Sequence, residues 1–162
     1  MKLRELKPQD APLMLEWMHD PSVVSDLKAN FAAKTIDDCE AFIAGSADHT
    51  RDVHFAAADD SDEYMGTVSL KHLHSDWAEF AIVVRKAAMG KGISRDAMAE
   101  ILLYGVRELK LQHIYWCVSR DNARAVRFYD KNHYQRTTDI PQELRQMYRE
   151  EGDSLLWYVY PG

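Results

Sequence analysis

A chain of 162 residues is about one domain long, enough to bury a core without disulfide or metal staples. Its 46% hydrophobic and 28% charged residues suit a soluble globular protein, and neither an apolar leader in "MKLRELKPQD" nor a membrane-length run is present. A net charge of −6 argues against nucleic acid gripping the whole surface, and two cysteines in unrelated contexts, Cys39 and Cys117, point to a reducing cytoplasm rather than a zinc knuckle or disulfide framework.

No repeat, low-complexity tract or flexible linker divides the chain, so residues 1–162 read as a single domain. "KLREL" predicts a short first strand. Asp10 is placed to cap a helix whose Leu13, Met14, Trp17 and Met18 share a face and which ends near "HDP". Thr35 followed by Asp38 has the spacing of a capping box and precedes Ile36, Cys39, Phe42 and Ile43 at helical intervals. The runs 53–58, 64–74 and 77–84, the first two joined by the acidic turn "DDSDE", predict an antiparallel meander. Met98, Ile101, Leu102, Gly105, Val106 and Leu109 then mark the clearest helix in the chain. Strand 113–118, helix 122–132, a short helix within 141–152 and strand 154–160 complete the reading. Hairpins followed by alternating strands and helices mean α/β or α+β, with a mixed sheet.

The turn "MGKGIS" leaves a strand, passes Gly90 and Gly92, and enters the long helix at about Ser94. Four basic residues and no acid lie between Arg85 and Arg95, and from Arg85 to Arg136 there are 11 Lys/Arg against 5 Asp/Glu. That local balance of +6 leaves −12 for the rest of the chain. Converging backbone N–H groups, a helix N-terminus and bare glycines make an anion site, while the Walker and dinucleotide spacings are both missing.

With "NARAVRFY" some 30 residues on, the chain resembles the GNAT acetyltransferase superfamily, in the branch that includes ribosomal-protein N-terminal acetylases and sugar and small-molecule acetylases. That family's [RQ]-x-x-G-x-[GA] loop corresponds to "MGKGIS" and its N-x-x-[AS]-x-x-[FL]-Y helix to "NARAVRFY". Met89 departs from the usual Arg or Gln, and Ser94 from the usual Gly or Ala. The resemblance implies a twisted six- to seven-stranded sheet flanked by helices, with acetyl-CoA as cosubstrate and no metal. It implies a splay between the strand ending at Val84 and strand 113–118. There the backbone of Ile82, Val83 and Val84 would pair with pantetheine, and Met89, Gly90, Lys91, Gly92, Ile93 and Ser94 would wrap the pyrophosphate. Asn122 would bond pantetheine or cap its own helix.

Tyr129 is implied as the acid that protonates the leaving thiolate, since a phenol near pKa ~10 is a competent donor to a thiol of about 8.5. Glu79 is a candidate base, or an ordinary polar residue on an alternating strand. His72 and His74 would share one strand face, which fits a place along the acceptor cleft better than a metal pair lacking a third ligand. Cys117 without a partnered His gives no support for a covalent intermediate, so direct attack is expected. The acceptor implied is a small amine such as an amino sugar, or alternatively a protein N-terminus. A non-catalytic acyl-CoA-binding module is the rival from another class. No nucleic acid or membrane partner is expected, and the state is a monomer or homodimer.

Overall fold

The computed structural model describes residues 1–162. In chain order the elements are β1 (Lys2–Arg4), α1 (Ala11–Met18), α2 (Pro21–Val24), α3 (Ile36–Gly45), β2 (Val53–Ala58), β3 (Tyr64–Lys71) and β4 (Trp77–Val84). Then come α4 (Ile93–Arg107), β5 (His113–Ser119), α5 (Ala123–Lys131), β6 (Gln135–Thr137), α6 (Gln142–Met147) and β7 (Leu155–Pro161). No helix is long and apolar enough to cross a membrane.

The strands form one seven-stranded mixed sheet in the order β1-β2-β3-β4-β5-β7-β6. Every neighbouring pair is antiparallel except β4 and β5, which run parallel. The expected meander is β2-β3-β4. Strand β6 went unanticipated, because "QRT" has no apolar alternation to announce it.

Helix α4 buries Ala97, Met98, Ile101, Leu102 and Gly105 against the sheet, close to the predicted stripe. Gly105 lets the helix sit close: a Cβ would meet Ile114 Cδ1 at 2.8 Å and Leu70 Cδ1 at 2.9 Å, and the ends of those side chains would have to shift to admit it. Phe80, Ile114, Trp116 and Tyr158 join this main core. A second cluster, with Met14, Trp17, Cys39, Ile43 and Tyr64, packs α1 and α3 on the sheet.

Two helix starts contrast. Thr35 and Asp38 make the capping box: Asp38 N donates to Thr35 Oγ1 (3.3 Å) and Thr35 N to Asp38 Oδ2 (2.8 Å). Asp10 does not cap α1 with its side chain. Its buried carboxylate instead accepts from Arg4 (2.9 Å to each oxygen) and Lys7 N (2.8 Å), an ion pair that outcompetes the cap. In the acidic turn, Asp62 pairs with Lys2, Arg4 and Lys7.

Candidate active site

The parallel ladder is short. Trp77, Ala78 and Glu79 pair with His113, Ile114 and Tyr115, and there it stops, although β4 continues to Val84 and β5 to Ser119. Beyond Glu79 the two strands separate. The direction of each β4 peptide follows from flanking bonds: Arg85 N donates to Met65 O and His74 N to Trp77 O, whereas His113 N donates to Asp76 O. Odd-numbered residues thus turn their backbone toward β3 and even-numbered ones toward β5. Ile82 and Val84 present unpaired N–H and C=O groups to the opening. Those of Val83 are turned to β3, opposite Thr67, which corrects its expected place on the exposed edge.

At the mouth of this opening the chain turns sharply into α4. Gly90 (φ 78°) and Gly92 (φ 75°) both occupy the left-handed region, and Gly92, not Ser94, is the N-cap of α4. Ser94 therefore lies inside the first turn, two positions past the cap, and the helix begins one residue before the expected entry at Ser94. None of the backbone N–H groups from Gly90 to Arg95 has a protein partner; the first bonded one is Asp96 N, to Gly92 O at 3.1 Å. Helix starts always leave such donors, and the two glycines extend the row upstream.

The nearby charges sort into used and available. Arg85 is buried and clamped by Glu16 (2.9 Å), Glu63 (3.0 Å) and Tyr64 O (2.9 Å), so it ties β4 to α1 and is not available to a ligand. Exposed Lys91 remains unpaired at the turn, whereas exposed Arg95 pairs with its neighbour Asp96 at 3.0 Å. Arg124, from the first turn of α5, reaches back until its Nη2 lies 3.2 Å from Met89 Sδ. A guanidinium thus stands beside the position where the residue itself is apolar. Sequence reasoning missed it because the contact spans 35 positions.

Asn122 is the N-cap of α5, its Oδ1 accepting from Ala125 N at 3.2 Å. Its amide N–H₂ has no protein partner. Tyr129 is 9% exposed, among Trp116, Phe128, Tyr134 and Tyr158, with ring centres 5.1 to 6.5 Å away. Its hydroxyl makes no hydrogen bond in the protein. Burial holds this phenol well above the ordinary value, with smaller contributions from Tyr158, Cys117 and Tyr134. Its ring packs at 5.6 Å on Trp116, which lies on β5 one residue past the last residue paired with β4.

Glu79 is not an ordinary polar strand residue. It is 3% exposed, its Oε1 lies 2.9 Å from His72 Nδ1 and its Oε2 accepts the Tyr148 hydroxyl at 2.5 Å. Burial, then the Glu79 charge and its hydrogen bond, raise the Tyr148 phenol far above normal. Burial, then Glu79, push the Cys117 thiol up to about 12, so it is no nucleophile at neutral pH. His72 does not continue β3 as expected. Its φ of 55° ends the strand at Lys71 and turns its ring to Glu79, while His74 bonds His72 O (2.7 Å) and stacks on Trp77 at 4.1 Å. No three His, Cys, Asp or Glu side chains converge as a metal site would require. Tyr148 was invisible to sequence reasoning: it belongs to the 141–152 segment, 69 positions from Glu79.

Comparison with known proteins agrees with this geometry. Residues 1–135 match the family described as the acetyltransferase (GNAT) domain. Acetyltransferase PseH of Campylobacter jejuni is 22% identical over 130 residues, 80% of this chain and 80% of that protein. Among solved structures, spermidine N-acetyltransferase from Vibrio cholerae in complex with CoA and spermine has a TM-score of 0.76 at 19% identity, covering 99% of this chain and 94% of that one. An acetyltransferase from Thermus thermophilus has a TM-score of 0.71 at 22% identity, with 99% and 96% covered. At these identities the structural likeness is one of fold.

Proposed function

The chain belongs to the GNAT acetyltransferase family, and from that premise we propose that it transfers an acetyl group from acetyl-CoA to the primary amine of a small molecule by direct attack. The observation that carries the reading is the opening of β4 from β5 beyond Glu79, met at its mouth by the unpartnered N–H groups from Gly90 to Arg95. A row of convergent N–H donors fits a pyrophosphate, and an exposed strand edge at Ile82 and Val84 fits the amides of pantetheine. Lys91 and Arg124 add positive charge there. Asn122 has an amide N–H₂ to spare for the same chain.

In this reading the amine nitrogen bonds to the thioester carbonyl carbon, the carbon–sulfur bond breaks, and the sulfur leaves with the electron pair. Tyr129 supplies the proton to that sulfur. Its unpartnered hydroxyl supports the role, since a phenol bound to a protein acceptor would have to break that bond first. Glu79, held by His72 and Tyr148, attracts the acceptor's ammonium and takes up the proton that the amine must lose, with His72 as its route to water. The high Cys117 pKa supports direct attack over an acyl-enzyme.

Release of free thiol from acetyl-CoA, measured with a panel of small amines, tests the proposal. Turnover with any of them supports transfer. Tight acetyl-CoA binding with no turnover on any amine would leave a binding module in its place.

A further inference from the structure

The segment after β6 folds back over the sheet on two anchors, Ile140 and Leu144, which are 8% and 0% exposed. Between it, the end of β5 and the start of β7 lies a cavity of about 580 Å³, the size range of small-molecule sites. Four arginines line it, Arg120, Arg136, Arg145 and Arg149, with Asp153 as the only carboxylate among the lining residues. Only Arg136 is neutralised, by Asp130 at 2.6 Å. Arg120 is held by a neutral group, its Nε donating to Asp153 O at 2.6 Å, and Arg145 likewise donates to Thr138 O. The Arg149 side chain has no partner. Carbonyl bonds fix the direction of a guanidinium without cancelling its charge, so these groups are positioned and uncompensated.

The cavity opens toward the candidate chemistry. Tyr148 lines it, and its hydroxyl reaches Glu79 at 2.5 Å. Trp157, also in the lining, stands opposite Cys117 in the β5–β7 register and packs edge-on against Tyr148 at 5.4 Å. One side chain therefore separates the proposed amine-binding carboxylate from a basic chamber with an aromatic wall.

We propose that this cavity binds a phosphate or diphosphate group carried by the acceptor, so that the substrate is a phosphorylated or nucleotide-linked amine such as an amino sugar derivative. The inference rests on the acetyl-transfer reading above and specifies its acceptor. Planar guanidiniums match phosphate oxygens in pairs, and three uncompensated ones favour a multiply charged anion over a lone carboxylate. The same arginines disfavour a polyamine, which would set its ammonium groups among like charges.

The test compares thiol release from acetyl-CoA with glucosamine, glucosamine 6-phosphate, UDP-glucosamine, spermidine and an acidic peptide with a free N-terminus. It is run on the wild-type chain and on Arg145→Gln/Arg149→Gln, both exposed positions whose replacement spares the core. The expected result is a kcat/KM at least tenfold higher for a phosphorylated amine than for glucosamine, with that ratio collapsing toward one in the double variant and in high salt. Preference for glucosamine or spermidine, or a ratio that the double variant leaves intact, overturns the proposal. So does faster acetylation of the peptide. If no amine in the panel releases thiol, the transfer reading is in question and the cavity is read separately by calorimetry with UDP. Binding that the double variant loses then upholds the anion site, and absence of binding removes it. UDP that binds without competing against a working acceptor marks a free-anion site and also overturns the acceptor assignment.

Discussion

Replacing Tyr129 by Phe removes one oxygen and keeps the ring. The ring contacts with Trp116 and Tyr158, at 5.6 and 5.1 Å, are untouched, and the hydroxyl has no protein hydrogen bond to lose. The change in stability should therefore stay within about 0.5 kcal/mol, a shift in Tm of less than about 2 °C for a chain of this size. The effect on rate is of another order. General acid catalysis is worth about 10²–10⁴, which is about 2.7–5.4 kcal/mol of barrier, and the whole of it is at stake if this phenol protonates the leaving sulfur. Turnover should fall by that factor while the acetyl-CoA dissociation constant barely moves, because the interaction strengthens only in the transition state. Burial sharpens the pH expectation. Since the Tyr129 phenol is raised well above the ordinary value, it stays protonated across the working range and contributes no alkaline limb below about pH 10. The Phe variant should lose rate by the same factor at pH 7 and pH 9. Stopped thiol-release assays at both values, with calorimetry for binding, make the measurement. A kcat within threefold of wild type on the true acceptor would take Tyr129 out of the chemistry, and a loss confined to high pH would reassign the acid.

Gly92→Val places a branched residue at φ 75° and a Cβ 2.9 Å from Arg95 Nη2, a backbone cost of about 1–2 kcal/mol that disorders the N–H row. Acetyl-CoA affinity should drop at least tenfold with the fold retained, and unchanged calorimetry would discard the turn as the pyrophosphate site. Arg124→Gln should weaken acetyl-CoA binding, and Met89→Arg should restore it in that background yet do little alone, where two guanidiniums would crowd one place. Strict additivity in this double-mutant cycle would show that the two positions do not share a ligand. Tyr64→Phe leaves Trp17 Nε1 (2.9 Å) and Thr67 Oγ1 (2.7 Å) without their shared partner and should cost about 1–3 kcal/mol in urea unfolding at pH 8. Burial raises the Tyr64 phenol to about 12, so its contribution is complete below the unfolded value near 10 and is lost as pH rises toward 12. The Phe variant should therefore show a shallower alkaline decline, and an identical decline would mean that Tyr64 ionises alike in both states.

What the sequence could show was whatever repeats at short range. The Thr35–Asp38 box, the Gly-Lys-Gly turn and the α4 stripe are all interactions within four residues; the first two stand where the spacing put them, and the stripe does as far as Gly105, with Val106 half-buried and Leu109 beyond the helix end. The α3 stripe succeeded only in part: Cys39 and Ile43 are buried, while Ile36 and Phe42 are 36% and 38% exposed, because the second cluster covers a narrower face than the pattern offers. "KHLH" read as strand since alternation is blind to φ, and His72 at 55° is what ends β3 and aims the ring at Glu79.

Longer reach was needed for the rest. Strand alternation gave Glu79 a polar position and said nothing of its burial, which depends on Tyr148 arriving from the far end of the chain. Met89 is the sharper case. Compared position by position with the resembled family, it is a lost cation. In space the cation is present, contributed by Arg124 from the next helix, with its guanidinium against the Met89 sulfur. A phosphate responds to the field at a point and not to the residue number that generates it. An apolar residue at a usual ligand position therefore weakens the functional reading only if no other charge reaches the same place, and here one does.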